Sequence, residues 1–485
     1  MSTRSLILAG SLCLAALIAA APLALSREPA TAAQQTALAD STASQIHTFT
    51  LANGLEVMVL PDQRGSVVSH ILNYRVGAAD EIQGETGLSH FFEHLMFKAT
   101  RTMAAGEYSR FIERVGGDHN ASAHHDMTSY YARVDRRHLE TVMRMEADRM
   151  INLVIDEDEV VREREVIKEE RRMRVDNQPA GRFNERLMSI AYLNHPYRRP
   201  VIGWMHEIAA LDRVSVSTFY EKYYGPQNAV LIVAGNVTVD EVREMAEQIY
   251  GAIAPRGVKN RQLRPIEPEQ IAARRIIRED VLVTNANFAR LYPVAALSEE
   301  TLREANAVSL LMQVLGNGIK SRLYQALVVT QRIANNAGAG ASFGLRDNAS
   351  ISFWATAADG QPTDTVERAI DALIDDVVKN GITAEELAEA KAEARANLVY
   401  GRASQYGRAS TYGWNQTQGR SPTLVDASNA IEQTITLEEV KAAAARLLVA
   451  ERSTTGWLLP KPAASTPTSA TATPAPPAAT PPALR

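Results

Sequence analysis

The chain spells one order of secondary-structure elements twice, and that repeat limits its fold more than any other feature. The first pass opens with strands at Thr48 to Leu51 and Leu55 to Leu60 around Asn53-Gly54, a strong hairpin signal between alternating runs. A strand over Val67 to Val76 leads to helices near Leu88 to Phe97 and Ala105 to Val115. A Gly116-Gly117 break follows, then strands near His119 to Ala123 and Thr128 to Val134, and helices near Arg137 to Leu153 and Glu157 to Val175. A helix at Val216 to Tyr223 and the apolar strand Ala229 to Ala234 close the pass. The second pass runs strand Asn287 to Val294, helix Glu299 to Leu315, a Gly316-Asn-Gly318 break and helix Lys320 to Val329. Strands near Ile333 to Phe343 and Ala349 to Thr356, helices near Thr365 to Lys379, Ala384 to Val399 and Leu437 to Leu447, and strand Thr454 to Leu459 complete it. At 485 residues the chain exceeds the roughly 250–300 at which a single core stops growing, so the repeat reads as an internal duplication of an α+β unit.

The ends differ in kind from this body. Arg4, the apolar stretch Leu6 to Ala20 and the small residues up to Ser26 read as an export signal over 1–26, too short for the roughly 20 residues of a membrane span. The expected organisation is a disordered segment at 27–45, a first domain at 46–254, a linker at 255–273, a second domain at 274–460, and a disordered Pro/Ala/Thr-rich tail at 461–485. The protein is therefore expected to be exported and periplasmic, soluble or loosely held at the envelope. Its only cysteine, Cys13, lies in the signal, so a metal in the mature chain must be held by His and carboxylate. A net charge of -5 gives no footprint for nucleic acid. Gly316-Asn-Gly-Ile-Lys320-Ser321 lacks the spacing and the preceding strand of a phosphate loop, so no nucleotide is expected.

All ten histidines fall between His47 and His206, which puts any metal chemistry in the first half. Within Gly87-Leu-Ser-His-Phe-Phe-Glu-His-Leu-Met-Phe97, His90 and His94 are four apart, so on a helix both imidazoles reach one point. Glu93 adjoins that face, placed to take a proton from a metal-bound water rather than to ligate. Leu88, Phe91, Phe92, Leu95 and Phe97 leave little of this helix facing solvent, and two imidazoles in apolar surroundings need partners. A catalytic zinc takes three protein ligands. The acidic run Glu163 to Glu170 is the best source of the third, and its spacing leaves Glu163, Glu169 and Glu170 all open. His119, His124 and His125 alternate faces on a strand without matched carboxylates, and are read as cleft or surface residues.

The His90-x-x-Glu93-His94 motif, the Glu-Arg-Glu-Val-Ile-Lys-Glu-Glu run and the Asn120-Ala-Ser-Ala-His-His-Asp-Met-Thr-Ser-Tyr-Tyr131 strand pair resemble the pitrilysin and insulinase zinc peptidases. The likeness is to their short bacterial two-domain members, which are similar to mitochondrial processing peptidase subunits. It implies two homologous domains, each a mostly antiparallel sheet packed with helices, forming a clam-shell around a peptide cleft. It also implies one zinc per chain on His90, His94 and Glu170, with Glu93 activating water and Glu163 a supporting carboxylate near His94. Asn120, Ala121 and Ser122 would be an edge strand to which an extended substrate adds.

One departure follows. The family's second half usually supplies an Arg and a Tyr facing the metal from a strand, and Asn348-Ala-Ser-Ile-Ser-Phe-Trp-Ala-Thr356 has neither. Arg346 lies just outside it, and the repeated Tyr400-Gly-Arg and Tyr406-Gly-Arg read as a Gly-broken helix or connector. The expectation is a zinc endopeptidase acting on extended peptides, the metal-bearing subunit of a heterodimer whose homologous partner carries the pair, with a homodimer as the other assembly. The other reading is a weakly active, zinc-containing, peptide-binding subunit of an envelope complex.

Overall fold

The computed structural model describes residues 46–461, apart from 260, 262 and the side chain of 402. The expected export segment, the 27–45 segment and the tail beyond Lys461 lie outside these residues. The strands are β1 (His47–Thr50), β2 (Glu56–Pro61), β3 (Val67–Tyr74), β4 (Asp118–Ala123), β5 (Thr128–Asp135), β6 (Ala229–Gly235), β7 (Arg274–Asp280), β8 (Asn287–Ala295), β9 (Ala334–Ser342), β10 (Asn348–Ala357) and β11 (Thr454–Pro460). Helices of the first half are α1 (Leu88–Leu95), α2 (Glu107–Arg114), α3 (Leu139–Asn152), α4 (Glu157–Arg171), α5 (Pro179–Ala191), α6 (Met205–Ile208), α7 (Arg213–Tyr223) and α8 (Val239–Ile249). Those of the second are α9 (Leu302–Gly316), α10 (Thr363–Asn380), α11 (Ala384–Ala403), α12 (Gln405–Thr417), α13 (Leu424–Glu432) and α14 (Leu437–Leu447).

The duplication is exact in strand order. The first sheet runs β1-β2-β6-β3-β5-β4 and the second β7-β11-β8-β10-β9, so β2 to β6 correspond to β7 to β11 with only β1 extra. Each sheet has one parallel pair, β2 with β6 and β7 with β11, and is otherwise antiparallel. The Asn53-Gly54 turn closes the β1–β2 hairpin, with Gly54 at φ +91 and Asn53 Nδ2 donating to the Tyr250 and Ile253 carbonyls. Each sheet carries its own apolar core on one face, around Phe91, Tyr130 and Leu231 in the first half and Leu311, Phe353 and Trp457 in the second.

The opposite faces are covered by exchange. Helix α12, from the second half, lays Ala409 and Tyr412 on Met58, Ile71 and Ile232 of the first sheet. Helix α5, from the first half, lays Phe183 and Leu187 against Leu458 of the second sheet. Both crossings are close enough to require glycine: a Cβ on Gly413 would meet Ile232 at 2.9 Å, and one on Gly456 would meet Phe183 at 2.6 Å. Of the two readings of 400–412, a Gly-broken helix or a connector, the broken helix is found, with the break at Ser404 rather than at a glycine: Ser404 Oγ accepts from the Gly407 N–H and caps α12.

The described residues of 255–273 form a strap that contacts both halves. Arg264, buried within it, donates from Nε and Nη2 to Asp80 at 2.8–3.1 Å and from Nη1 to Asp347 at 2.7 Å and to Asp126. Tyr197 Oη donates to Asp126 at 2.8 Å and accepts from the Asp347 N–H at 3.0 Å. Burial opposes charge on Asp126 and Asp347, yet Arg264 for the first, and His195 with Arg264 for the second, hold both carboxyls below their ordinary range. Burial pushes Asp80 the other way, despite Arg264.

Removing the guanidinium strands three carboxylates, so Arg264→Met should lower unfolding free energy by about 3–5 kcal/mol in urea titrations. A carboxyl depressed in the folded state contributes stability that is present above its unfolded pKa near 4 and lost as pH falls through the folded value. Asp347→Asn should therefore flatten the fall in melting temperature between about pH 5 and pH 3.

Candidate metal centre

Helix α1 is short, and its position is set from outside. Gly87, at φ +98, starts it where a Cβ would meet the Ile202 carbonyl at 2.8 Å. The Glu81 carboxylate accepts from the Gly87 and Ser89 N–H groups at 2.8 and 2.7 Å, which satisfies two of the unpaired donors of the first turn. At the other end Tyr130 Oη donates to the Phe92 carbonyl at 3.0 Å and Arg149 Nη1 to the Met96 carbonyl at 3.0 Å. Arg149 is itself held by Glu146 at 2.5 Å, and Glu146 also accepts from Tyr108 Oη at 2.7 Å.

Helix α4 runs beside α1, capped by Asp156, which accepts from the Glu159 N–H at 2.7 Å. Beyond Arg171 it widens into a π-helical stretch, Arg172–Asp176. The three carboxylates left open by sequence spacing separate here. Glu169 is exposed and pairs with Arg172 at 2.8 Å. Glu163 is buried and its Oε1 lies 2.7 Å from His94 Nδ1, while Lys98 Nζ holds its Oε2 at 2.5 Å. Glu170 Oε2 lies 3.5 Å from His90 Nε2 and 3.2 Å from His94 Nε2, and its Oε1 is held by Arg174 at 2.6 Å.

His90, His94 and Glu170 thus bring one ligand atom each within 4.8 Å of one another, the one such group among the described residues. The two distances from Glu170 to the imidazoles fit a tetrahedral zinc, whose ligands at about 2.0–2.2 Å from the ion stand about 3.3–3.5 Å apart. The donor chemistry fits as well. Contact of Nδ1 with Glu163 fixes the tautomer that leaves His94 Nε2 facing the centre. Burial opposes a charge on His94, but Glu163 and Glu170 outweigh it and raise the imidazole to about 9. Burial likewise opposes charge on both carboxyls, and hydrogen bonds hold them low: from His94 and Lys98 for Glu163, from His90 and His94 for Glu170.

Glu93 sits between this centre and the sheet edge, its Oε2 accepting from the Ala123 N–H at 2.8 Å. Strand β4 is bonded on one side only, to β5. Ala123 turns its N–H outward, so by alternation Ala121 also faces the open edge, its N–H held meanwhile by Asn120 Oδ1 at 2.9 Å. The main chain of Asn120 and Ser122 then pairs inward with β5, which leaves Ala121 as the free member of the expected trio. The histidines read as cleft or surface residues, His119, His124 and His125, are all half-buried. His119 packs against Phe97 and Tyr108, and His125 is placed 3.1 Å from the Arg199 carbonyl. His124 meets the ring of Trp414. Lys98, Tyr130 and Arg149 were missed in the sequence, because each acts through contacts with other elements, whereas Arg174 was missed although its i,i+4 spacing from Glu170 is a local signal.

Comparison with known proteins gives the family and the fold. The profile described as "Insulinase (Peptidase family M16)" matches residues 57–204, and that described as "Peptidase M16 inactive domain" matches 210–394. The zinc protease PqqE of Helicobacter pylori is 31% identical over 357 residues, covering 72% of this chain and 78% of the relative. An uncharacterized zinc protease of Mycobacterium tuberculosis is 29% identical, covering 82% and 90%. The crystal structure of a protease from Helicobacter pylori superposes with TM-score 0.80 at 29% identity, covering 86% of this chain and all of that one. The periplasmic protease PqqL of Escherichia coli shares the fold, with TM-score 0.73 at 22% identity over 86% of this chain and 48% of its own.

Arg149→Met would leave Glu146 buried without its cation and free the end of α1. A loss of about 3–5 kcal/mol in urea unfolding is expected, against about 1–3 kcal/mol for Tyr130→Phe, which removes two neutral hydrogen bonds, to the Phe92 carbonyl and with Tyr224 Oη.

Proposed function

Because the chain belongs to the M16, or insulinase, peptidase family, we propose that it is a zinc-dependent endopeptidase that cuts extended peptides bound along β4. The observation that carries this is the convergence of His90, His94 and Glu170 beside a Glu93 that is pinned to the sheet edge rather than to the metal position. One zinc per chain would be held by those three residues and would supply Lewis-acid activation of a water molecule.

The chain's own residues do the rest. Glu163 orients His94, and Lys98 holds Glu163 in place. An extended peptide adds antiparallel or parallel to the open edge, exchanging main-chain hydrogen bonds with Ala121 in place of the Asn120 side chain; Asn120 and Ser122 flank the added strand. The contact with the Ala123 N–H fixes Glu93 where the edge strand ends, so that the carboxylate takes the proton of the attacking water and returns it to the leaving amine.

The half matched by the inactive-domain profile carries no histidine, and β10 carries neither the Arg nor the Tyr of the family. Arg346 is engaged in docking the halves, its N–H donating to Asp126 and its Nε pairing with Asp347. Tyr400 is exposed at the end of α11, and Tyr406 packs at a tilt against Tyr131. We therefore assign full activity to a heterodimer with a homologous subunit that supplies the pair, and the alternative is a peptide-presenting subunit with little turnover. An exported, periplasmic location agrees with the 1–26 segment, and no described helix is long and apolar enough to cross a membrane.

Zinc analysis and fluorogenic-peptide hydrolysis, with and without the homologous partner, test this reading. Glu93→Gln should keep about one zinc per chain and lose about 10²- to 10⁴-fold in turnover. Glu163→Gln should weaken zinc about 10- to 100-fold in chelator competition. Zinc binding that survives Glu170→Ala unchanged would sink the ligand assignment, and full activity of the chain alone would sink the heterodimer.

A further inference from the structure

Register places Gly456, Ala289, Trp354 and Gly338 in one row across β11, β8, β10 and β9, so their side chains share one face. Phe183 of α5 lies over Gly456, which identifies this face as the one turned toward the first half. Leu291, one row along on the same face, packs against Ala191, Tyr192 and Tyr197 of the first half. Helix α5 therefore covers β11 and β8 and stops short of β10 and β9.

The uncovered part has an unusual floor. Its rows pair Ser350 with Ser342, Ser352 with Gly340, and Trp354 with Gly338. Trp354 is the one large side chain there, and it is 41% exposed. Its indole lies flat on the edge strand: a Cβ on Gly338 would meet the ring at 2.5 Å, and one on Gly340 at 3.6 Å. One side of the ring is thus seated on glycine backbone, while the side chain stays partly exposed on the sheet face turned toward the first half. The corresponding strand of the first sheet carries Tyr131, and there the ring is closed over by Tyr406 of α12 at 4.8 Å. Glycine in a strand interior weakens it and an exposed indole forgoes burial, so the arrangement adds nothing to folding that a smaller pair would not. It does provide a flat, rigid apolar surface with few rotamers to lose, bordered by serine hydroxyls.

We infer that Trp354, seated on Gly338 and Gly340, is the floor of a subsite that receives a large apolar or aromatic side chain of the bound peptide. This rests on the peptidase reading above and adds a side-chain preference to it. Strand addition at β4 recognises backbone, so selectivity has to come from a surface such as this one across the cleft. Offset or edge-to-face stacking on the partly exposed indole gives the preference its chemistry.

The test measures peptide binding without turnover, in zinc-loaded Glu93→Gln protein. Two fluorescein-labelled Gly/Ser-rich peptides, alike except for one central Phe or Ala, are titrated by anisotropy. The Phe peptide should bind about tenfold more tightly, and Trp354→Ala should bring the two to within about twofold. Trp354→Phe, which keeps a flat ring, should retain most of the discrimination, and it serves if the alanine variant does not fold. Equal binding of the two peptides to the parent, or discrimination that persists in Trp354→Ala, overturns the subsite while leaving the peptidase reading standing. Binding of neither peptide overturns the peptide-binding reading itself, and the subsite with it.

Discussion

The buried guanidinium of Arg264 is the point on which the two halves turn. A cation enclosed by three carboxylates from three segments is stable only while all of them stay in place, because each partner's desolvation is offset by the others. Asp80 lies just before the turn that leads into α1, Asp126 lies in the turn that ends β4, and Asp347 lies in the turn that starts β10. A single side chain on the strap thereby ties the metal-bearing helix, the open edge strand and the opposing wall of the cleft to one origin.

That origin matters for chemistry because the metal centre and the peptide edge belong to different elements. Glu93 reaches β4 through one hydrogen bond to Ala123, and Asp126 is only three residues further on. A shift of the turn would move the edge strand relative to α1 by the fraction of an ångström that proton transfer does not tolerate. The buried Arg149–Glu146–Tyr108 group steadies the same helix from its other end. The site is thus held from the core side by one buried ion pair and from the cleft side by another.

Much of this was legible in the sequence. His90, Glu93 and His94 are fixed by helical spacing alone, and the element order gave the duplication, because hydrophobic period and turn residues are local properties. Boundaries of α1, β4, β5 and α14 agree with the reading to within a few residues. What local pattern could not distinguish was Glu163 from Glu170, since both lie on the inner side of α4 and only their different depths along α1 separate them; the family resemblance, not the spacing, named Glu170. Helix α5 was missed and α12 was read only as a Gly-broken helix or connector, for a related reason. Their apolar residues face the other half, and Gly181, Gly407 and Gly413 lower helix propensity in their interiors. The strap was read as a passive linker, because nothing in Arg264 announces that three distant aspartates surround it.

The exchanged helices also govern the order in which the molecule can be finished. When Gly235 completes the last strand of the first sheet, the layer that must cover Met58, Ile71 and Ile232 is still unmade, since it is encoded by residues 405–417. At ordinary synthesis rates that leaves a bare apolar sheet face for on the order of ten seconds or more. The N-terminal half, though it holds every histidine of the metal centre, is therefore an incomplete folding unit. The chain can commit to its native state only once residues 405–417 are available to close that face.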